Sequence, residues 1–250
     1  MNVPLTVITP VRNGMPFLPA ALASIASQDS GPLEWIVVDD GSTDGTQDFV
    51  RSVDRVPARL LQFDGIGPAA ARNAGIRECT TDLIAFIDAD DLWPPGSLLR
   101  LGCALEEHPE AGFAQGLIQN FREPHPGMIE FITPPYRFIS LTACLWRSSV
   151  FETAGLLDED LRLCEDLDFM MRCWEKDIVK AEVNRVTLQV RRHPNNTTRG
   201  LSGAGFGTVK AFKKKIDRIR RGEHDPSAPR HVAINRYIGV GPQNQDGSPL

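Results

Sequence analysis

The first half of the chain alternates short apolar runs with apolar residues at helical spacing. Leu5–Thr9 reads as a buried strand, and Leu18, Ala21, Leu22 and Ile25 then recur at the intervals of one helix face. The runs 33–38 ("LEWIVV"), 58–63 ("ARLLQF") and 83–88 ("LIAFID") predict three further strands. Between them lie "DDGSTDGT", a turn and helix start with Asp44 as candidate N-cap, and the Ala-rich helix Pro68–Glu78. Another helix begins over Leu98–Leu105. Alternating strands and helices predict an α/β protein: a mainly parallel central sheet with helices on both faces. Ligands bind such sheets beyond the carboxyl ends of the strands. The polar stretches "TPVRN" (9–13), "DDGSTD" (39–44) and "DADD" (88–91) all follow strands, and so share that edge.

The second half is less regular. Residues 111–121 and 141–146 read as strands, and 186–192 ("VTLQVRR") as a late strand. Leu167, Met170, Met171 and Trp174 place a helix directly after "CED". The segment 122–139 carries Pro124, Pro126, Pro134 and Pro135 and reads as a flexible loop holding a short strand, "MIEFI". Phe206, Val209, Phe212, Ile216 and Ile219 form an apolar stripe at helical spacing, with lysines and arginines on the other faces up to Arg221. After Gly222 the composition turns to Pro, Gly, Asn and Gln, which predicts a flexible tail.

Composition narrows the setting. The chain has 250 residues, 42% hydrophobic and 24% charged, the balance of an ordinary globular domain. A net charge of −5 gives no general case for nucleic acid. The five cysteines form no CxxC pair, against a disulfide framework or structural zinc and in favour of a reducing, cytoplasmic compartment. The N-terminus lacks signal-peptide character, and no apolar run reaches the ~18 residues of a membrane span.

Candidate chemistry sits on the shared edge. "DADD" brings Asp88, Asp90 and Asp91 together after a buried strand. Such acids suit a hard cation, Mg²⁺ or Mn²⁺, that takes its remaining ligands from water and a diphosphate; the competing reading is a solvated acidic turn. Asp39 can accept the N3–H of uracil, while Gly41, Ser42 and Asp44 shape a turn. Arg72 suits a nucleotide or phosphate contact, or is a surface arginine. Glu165 and Asp166 open a helix, as dipole-stabilised acids or as a general base. His193 follows the last strand as a metal or diphosphate contact, or as a structural histidine.

In order, "VITPVRNG", "VVDDGSTDGT", "AARNAG", "FIDADD", "ED" before a helix and "RRH" resemble the family 2 glycosyltransferases of the GT-A (Rossmann-like) fold, over roughly residues 4–200. The resemblance implies inverting transfer of one sugar from a nucleotide diphosphate-sugar, most often a UDP-sugar, to a glycan or lipid-linked acceptor. It implies that Pro10, Val11, Arg12, Asp39, Arg72, Asp88 and Ala89 bind the nucleotide-sugar. Asp90, with His193, would hold Mn²⁺ or Mg²⁺, and Asp166 would be the catalytic base. It divides the chain into a domain over 1–205, with a nucleotide-sugar half to about 120 and an acceptor half after it, and a basic helix and tail over 206–250. The QxxRW motif and membrane helices of processive synthases are absent. The helix 206–221 is either a solvated basic helix or a seat on an anionic membrane. Two other functions compete: a nucleotidyltransferase acting on a sugar phosphate, for which "TPVRNGMPF" is a poor triphosphate loop, and a nucleotide-sugar-binding protein without catalysis.

Overall fold

The computed structural model describes residues 3–29, 31, 33–196, 206–224 and 230–239. The first half forms β1 (Leu5–Val11), α1 (Leu18–Ala26), β2 (Leu33–Asp40), α2 (Thr46–Arg51), β3 (Ala58–Phe63), α3 (Pro68–Glu78), β4 (Leu83–Phe86) and α4 (Ser97–Glu107). The second half forms β5 (Ala111–Arg122), β6 (Glu130–Phe131), β7 (Cys144–Arg147), α5 (Ser149–Ala154), α6 (Glu165–Glu175), β8 (Val179–Arg191), α7 (Phe206–Arg220) and α8 (Ile234–Ile238). They build one sheet of order β3-β2-β1-β4-β7-β5-β6, with β8 paired to β5. β1 to β4 run parallel, as do β5 and β8, while β7 and β6 run against their neighbours.

The apolar runs are continuous because both sheet faces are covered. Leu5, Val7, Trp35, Val37 and Ala85 face one layer of core with α1 and α4, while Ile8, Ile36, Val38, Ile84 and Phe86 face the other. On that second face α3 lies close to β1: a Cβ at Gly75 would meet Ile8 Cγ2 at 2.5 Å.

Several expectations change. The strand expected over 141–146 shrinks to β7, because Ser140 Oγ accepts the N–H groups of Thr142 and Ala143 and makes a turn there. The late strand starts earlier, at Val179, because its polar residues pair along β5. The sequence after Gly222 is not loose throughout its described part. Tyr237 of α8 is fully buried, donates its hydroxyl to Ile178 O at 2.8 Å and meets Phe113 edge-on, an anchor that a polar composition conceals. Residues 240–250 lie outside the described residues.

α7 packs with the opposite sense to an ordinary amphipathic helix. Ala211 is buried with Leu161, Leu167 and Met171, whereas Val209, Phe212 and Ile216 are 63%, 46% and 48% exposed. Part of its basic set turns inward: Arg218 pairs with Asp168 and Glu175, and Lys214 with Asp158.

β5 sets the shape of the carboxyl edge. Ala85, Leu145 and Ala114 are in register across β4, β7 and β5, so β5 runs in the direction of β4. Past that register it runs on to Arg122, and Arg191 of β8, paired with Phe121, donates its N–H to Asp91 Oδ1.

Candidate functional site

The site is assembled from strand ends. Asp39, at the end of β2, is fully buried. Its Oδ2 accepts from Ser42 N–H at 3.2 Å and Gln47 Nε2 at 2.7 Å, while Oδ1 has no partner. A buried acceptor left open costs free energy, so an orphan oxygen at a ligand edge points to a donor that arrives with the ligand. Val11 is its register partner on β1, buried, with Pro10 half-buried and Arg12 exposed. Asn13 ties the two loops: its N–H donates to Ser42 Oγ at 2.7 Å and its Oδ1 accepts from Thr43 N–H at 2.8 Å. Asp44 does not occupy the N-cap of α2, which is Gly45; it accepts from Thr46 and from Met15 N–H, pinning the loop after β1 to the helix. Asp40 accepts the N–H groups of Ile66 and Gly67 and fixes the entry to α3.

α3 delivers Arg72, buried at 7% exposure. Nη2 donates to Asp88 Oδ1 and Nη1 to Glu165 Oε1, each at 2.7 Å. Burial works against the guanidinium charge, but Asp88 and Glu165 more than offset it, so Arg72 stays a cation. None of its described contacts is to Asp39; it bridges Asp88 and Glu165. Its neighbour Asn73 is structural, bonding the backbone of Leu157 in both directions.

α6 is preceded by its N-cap Cys164, held at φ 65°, and carries Glu165 and Asp166 in its first turn. Asp166 is half-buried. Burial and then the Glu165 charge push its carboxyl up to about 7, against weaker pulls from Leu167 N–H and Arg72. Asp168 turns away into ion pairs with Arg172 and Arg218.

The "DADD" acids separate. Asp91 is buried and accepts Arg191 N–H at 3.0 Å. Burial, with Asp90 and Asp88 close by, raises its carboxyl well above the usual range, so it serves as an internal strut. Asp90 faces outward, with His193 Nε2 at 2.9 Å and Asn196 Nδ2 at 3.2 Å from its Oδ2. Phe17 stacks on His193 with centroids 4.5 Å apart. Ala89 is half-buried between Asp88 and Asp90. His193 Nδ1 accepts Asn195 N–H at 3.2 Å, which leaves the hydrogen on Nε2. The ring is therefore set to donate, to Asp90 or to a phosphate oxygen; ligating a metal through Nε2 requires the other tautomer.

Among the described residues no group of three or more His, Cys, Asp or Glu could enclose a metal ion. The donor chemistry nevertheless fits Mn²⁺ or Mg²⁺: Asp90, with Asp88 two residues before it, supplies one or two carboxylates, the usual protein share when a diphosphate and water complete the shell. Gln47 and Phe17 carried no role in the sequence reading; Arg191 carried a signal as the first residue of "RRH", and Asn196 in the polar run after it.

The chain was compared with known proteins. The model for glycosyl transferase family 2 matches residues 6–154. A PGL/p-HBAD biosynthesis glycosyltransferase of Mycobacterium tuberculosis is 30% identical over 177 residues, 68% of this chain and 69% of that relative. Three other curated relatives are matched over only 31% to 38% of their own length. Among solved structures, S. aureus TarS 1-349 in complex with UDP-GlcNAc aligns with a TM-score of 0.69 at 18% identity, covering 95% of this chain and 69% of that one. The mannosyltransferase PcManGT from Pyrobaculum calidifontis, in complex with GDP-Man and Mn²⁺, aligns with a TM-score of 0.65 at 20% identity, covering 92% and 66%. At these identities the structures show a shared fold.

Proposed function

Since the chain belongs to glycosyl transferase family 2, we propose that it moves one sugar from a nucleotide diphosphate-sugar, in the first place a UDP-sugar, to a hydroxyl of a glycan or lipid-linked acceptor with inversion. The observation that carries this reading is the buried, unpartnered Oδ1 of Asp39 at the carboxyl edge, an acceptor suited to the N3–H of uracil. Pro10 and Val11 flank it at the end of β1.

Asp90, with Asp88, would hold Mn²⁺ or Mg²⁺, which when bound offsets charge on the departing diphosphate. His193 Nε2–H donates toward the same oxygens. Arg72 holds Asp88 and Glu165 in place and keeps a positive charge among the acids. Asp166, titrating at about 7, is matched to taking the proton of the attacking hydroxyl near neutral pH. Attack on the anomeric carbon from the face opposite the diphosphate inverts the centre in one displacement and needs no protein nucleophile.

The exposed stripe of α7, flanked by exposed Lys210, Lys213 and Arg220, suits the surface of an anionic membrane and so an acceptor presented there. No helix among the described residues is long and apolar enough to cross a membrane.

Calorimetry with UDP and GDP in the presence of Mn²⁺ tests the reading. UDP should bind, and Asp39→Ala should weaken it by at least tenfold, a loss of about 1.4 kcal/mol. Absence of nucleotide diphosphate binding by the unmodified protein would overturn it.

A further inference from the structure

The two oxygens of Asp39 are in opposite states. Oδ2 accepts from Ser42 N–H at 3.2 Å and from Gln47 Nε2 at 2.7 Å, and a carboxylate oxygen has room for about two such bonds. Oδ1 is buried and accepts none. A base that enters at this carboxylate therefore finds one open acceptor, where a bare carboxylate offers two.

The donor on Oδ2 belongs to a directed relay. Gln62 of β3 is the register partner of Asp39 on β2. Gln47 of α2 bonds both: its Oε1 accepts from Gln62 Nε2 at 2.6 Å. Gln62 Oε1 accepts from Arg51 Nη2 at 3.2 Å, and Arg51 is held in turn by Asp48 at 3.0 Å. An amide can be turned either way, but the ends of this chain decide the direction, because a guanidinium only donates and a carboxylate only accepts. Arg51 claims the oxygen of Gln62, so Gln62 presents its NH₂ to the oxygen of Gln47. Gln47 is left to present its own NH₂ to Asp39.

Nucleobases differ at the edge that meets such a site. Uracil carries one N–H, at N3, between two carbonyls. Guanine carries two adjacent donors, N1–H and the N2 amine, which match both oxygens of one carboxylate. Against Asp39 the second guanine donor meets an oxygen already filled, and a donor left unpaired in a closed site costs free energy. The single N–H of uracil is satisfied by Oδ1 alone.

We infer that Gln47 is the specificity-determining residue for the donor base: by filling Asp39 Oδ2 it leaves one acceptor, which admits uracil and refuses guanine. Gln62 and Arg51 are positioning residues that set its direction. The inference rests on the transferase reading and names what fixes its base.

The test is calorimetry of the full chain with UDP and with GDP in Mn²⁺, read as the ratio of the two affinities. The unmodified protein should favour UDP by at least about tenfold. Gln47→Ala opens Oδ2 and should shift the ratio toward GDP by about tenfold. Should that variant fail to fold, Gln47→Met keeps the length of the side chain, lacks the donor and takes its place. Gln62 is exposed and supplies the second arm. Gln62→Glu only accepts, turns the Gln47 amide round and should move the ratio the same way. Gln62→Lys only donates, keeps the direction and should leave the ratio unchanged. A ratio that Gln47→Ala or Gln47→Met does not move overturns the inference. So does an equal response to Gln62→Glu and Gln62→Lys, which makes the relay packing alone, or a parent that binds GDP as tightly as UDP. Failure of both nucleotides to bind the unmodified protein removes the transferase reading instead; UDP binding with an unmoved ratio removes the role of Gln47 alone.

Discussion

Replacing Asp166 by Asn removes a carboxyl that burial and Glu165 keep from ionising until about pH 7. The folded chain holds that proton more tightly than the unfolded chain, whose carboxyl titrates near 3.8. The group therefore costs nothing below about pH 4, and its cost grows as the pH rises and is complete above about 7. Displacement of the titration from 3.8 to about 7 corresponds to roughly 4 kcal/mol. The residue is half-buried, and solvent reduces the figure to about 2 kcal/mol. Asn has the same shape, does not titrate and keeps an oxygen for Leu167 N–H. Asp166→Asn should thus be more stable than the unmodified protein by about 2 kcal/mol at pH 8, with most of the gain gone at pH 4.5. Urea denaturation at the two pH values reads this directly. In a chain of this size, the pH 8 melting temperature should rise by about 4–8 °C. A gain that is equal at both pH values, or a loss at pH 8, refutes the assignment of a raised titration to this residue. The same variant should abolish transfer and leave UDP affinity intact, so stability and activity move in opposite directions at one atom.

Asp90→Ala should weaken UDP binding in Mn²⁺ and leave the metal-free affinity nearly unchanged; calorimetry showing equal Mn²⁺-dependent affinity would remove Asp90 as the ligand. Arg72→Ala leaves Glu165, Asp88 and Asp166 facing one another without a counter-charge, and should cost about 3–5 kcal/mol in a denaturation curve. It should also move the rise in transfer rate to higher pH, because Arg72 pulls the Asp166 titration down; an unmoved midpoint would show that the pair is structural only. Val209→Ser/Phe212→Ser on α7 should lower sedimentation with anionic liposomes at low salt and leave UDP affinity unaltered; equal sedimentation of variant and parent would remove the membrane seat.

The parallel half was legible in the sequence because its strands are buried on both faces. Runs such as "LEWIVV" and "LIAFID" carry that in one dimension, and the acids that follow them fall on one edge whatever the loops do. The roles within the site were less legible, since they depend on partners far along the chain: Arg72 meets Glu165 93 residues away, and Asp90 meets His193 103 residues away. Spacing places Arg72 on a helix but does not show that it bridges two acids. The stripe of α7 was visible, but periodicity does not say which face is buried, and here Ala211 takes the apolar contact beside the inward-turned Lys214 and Arg218 while Val209, Phe212 and Ile216 stay outside. Tyr237 was hidden by its polar neighbours, because one anchor has no period.

The stretch from residue 123 to β7 is bonded to β5 along its length, through β6, the bridge at Ile118–Tyr136, and links to Gln115, Gln119, Asn120 and Arg122. Lengthening its turn at 124–127 costs little beyond loop closure, about 0.6 kcal/mol for each doubling. Asp39, Arg72 and Asp166 are held elsewhere, by β2, α3 and α6. The tip of the hairpin can therefore be lengthened while these three side chains stay in place. That makes 124–127 the place where this chain takes an insertion at the smallest cost to what surrounds it.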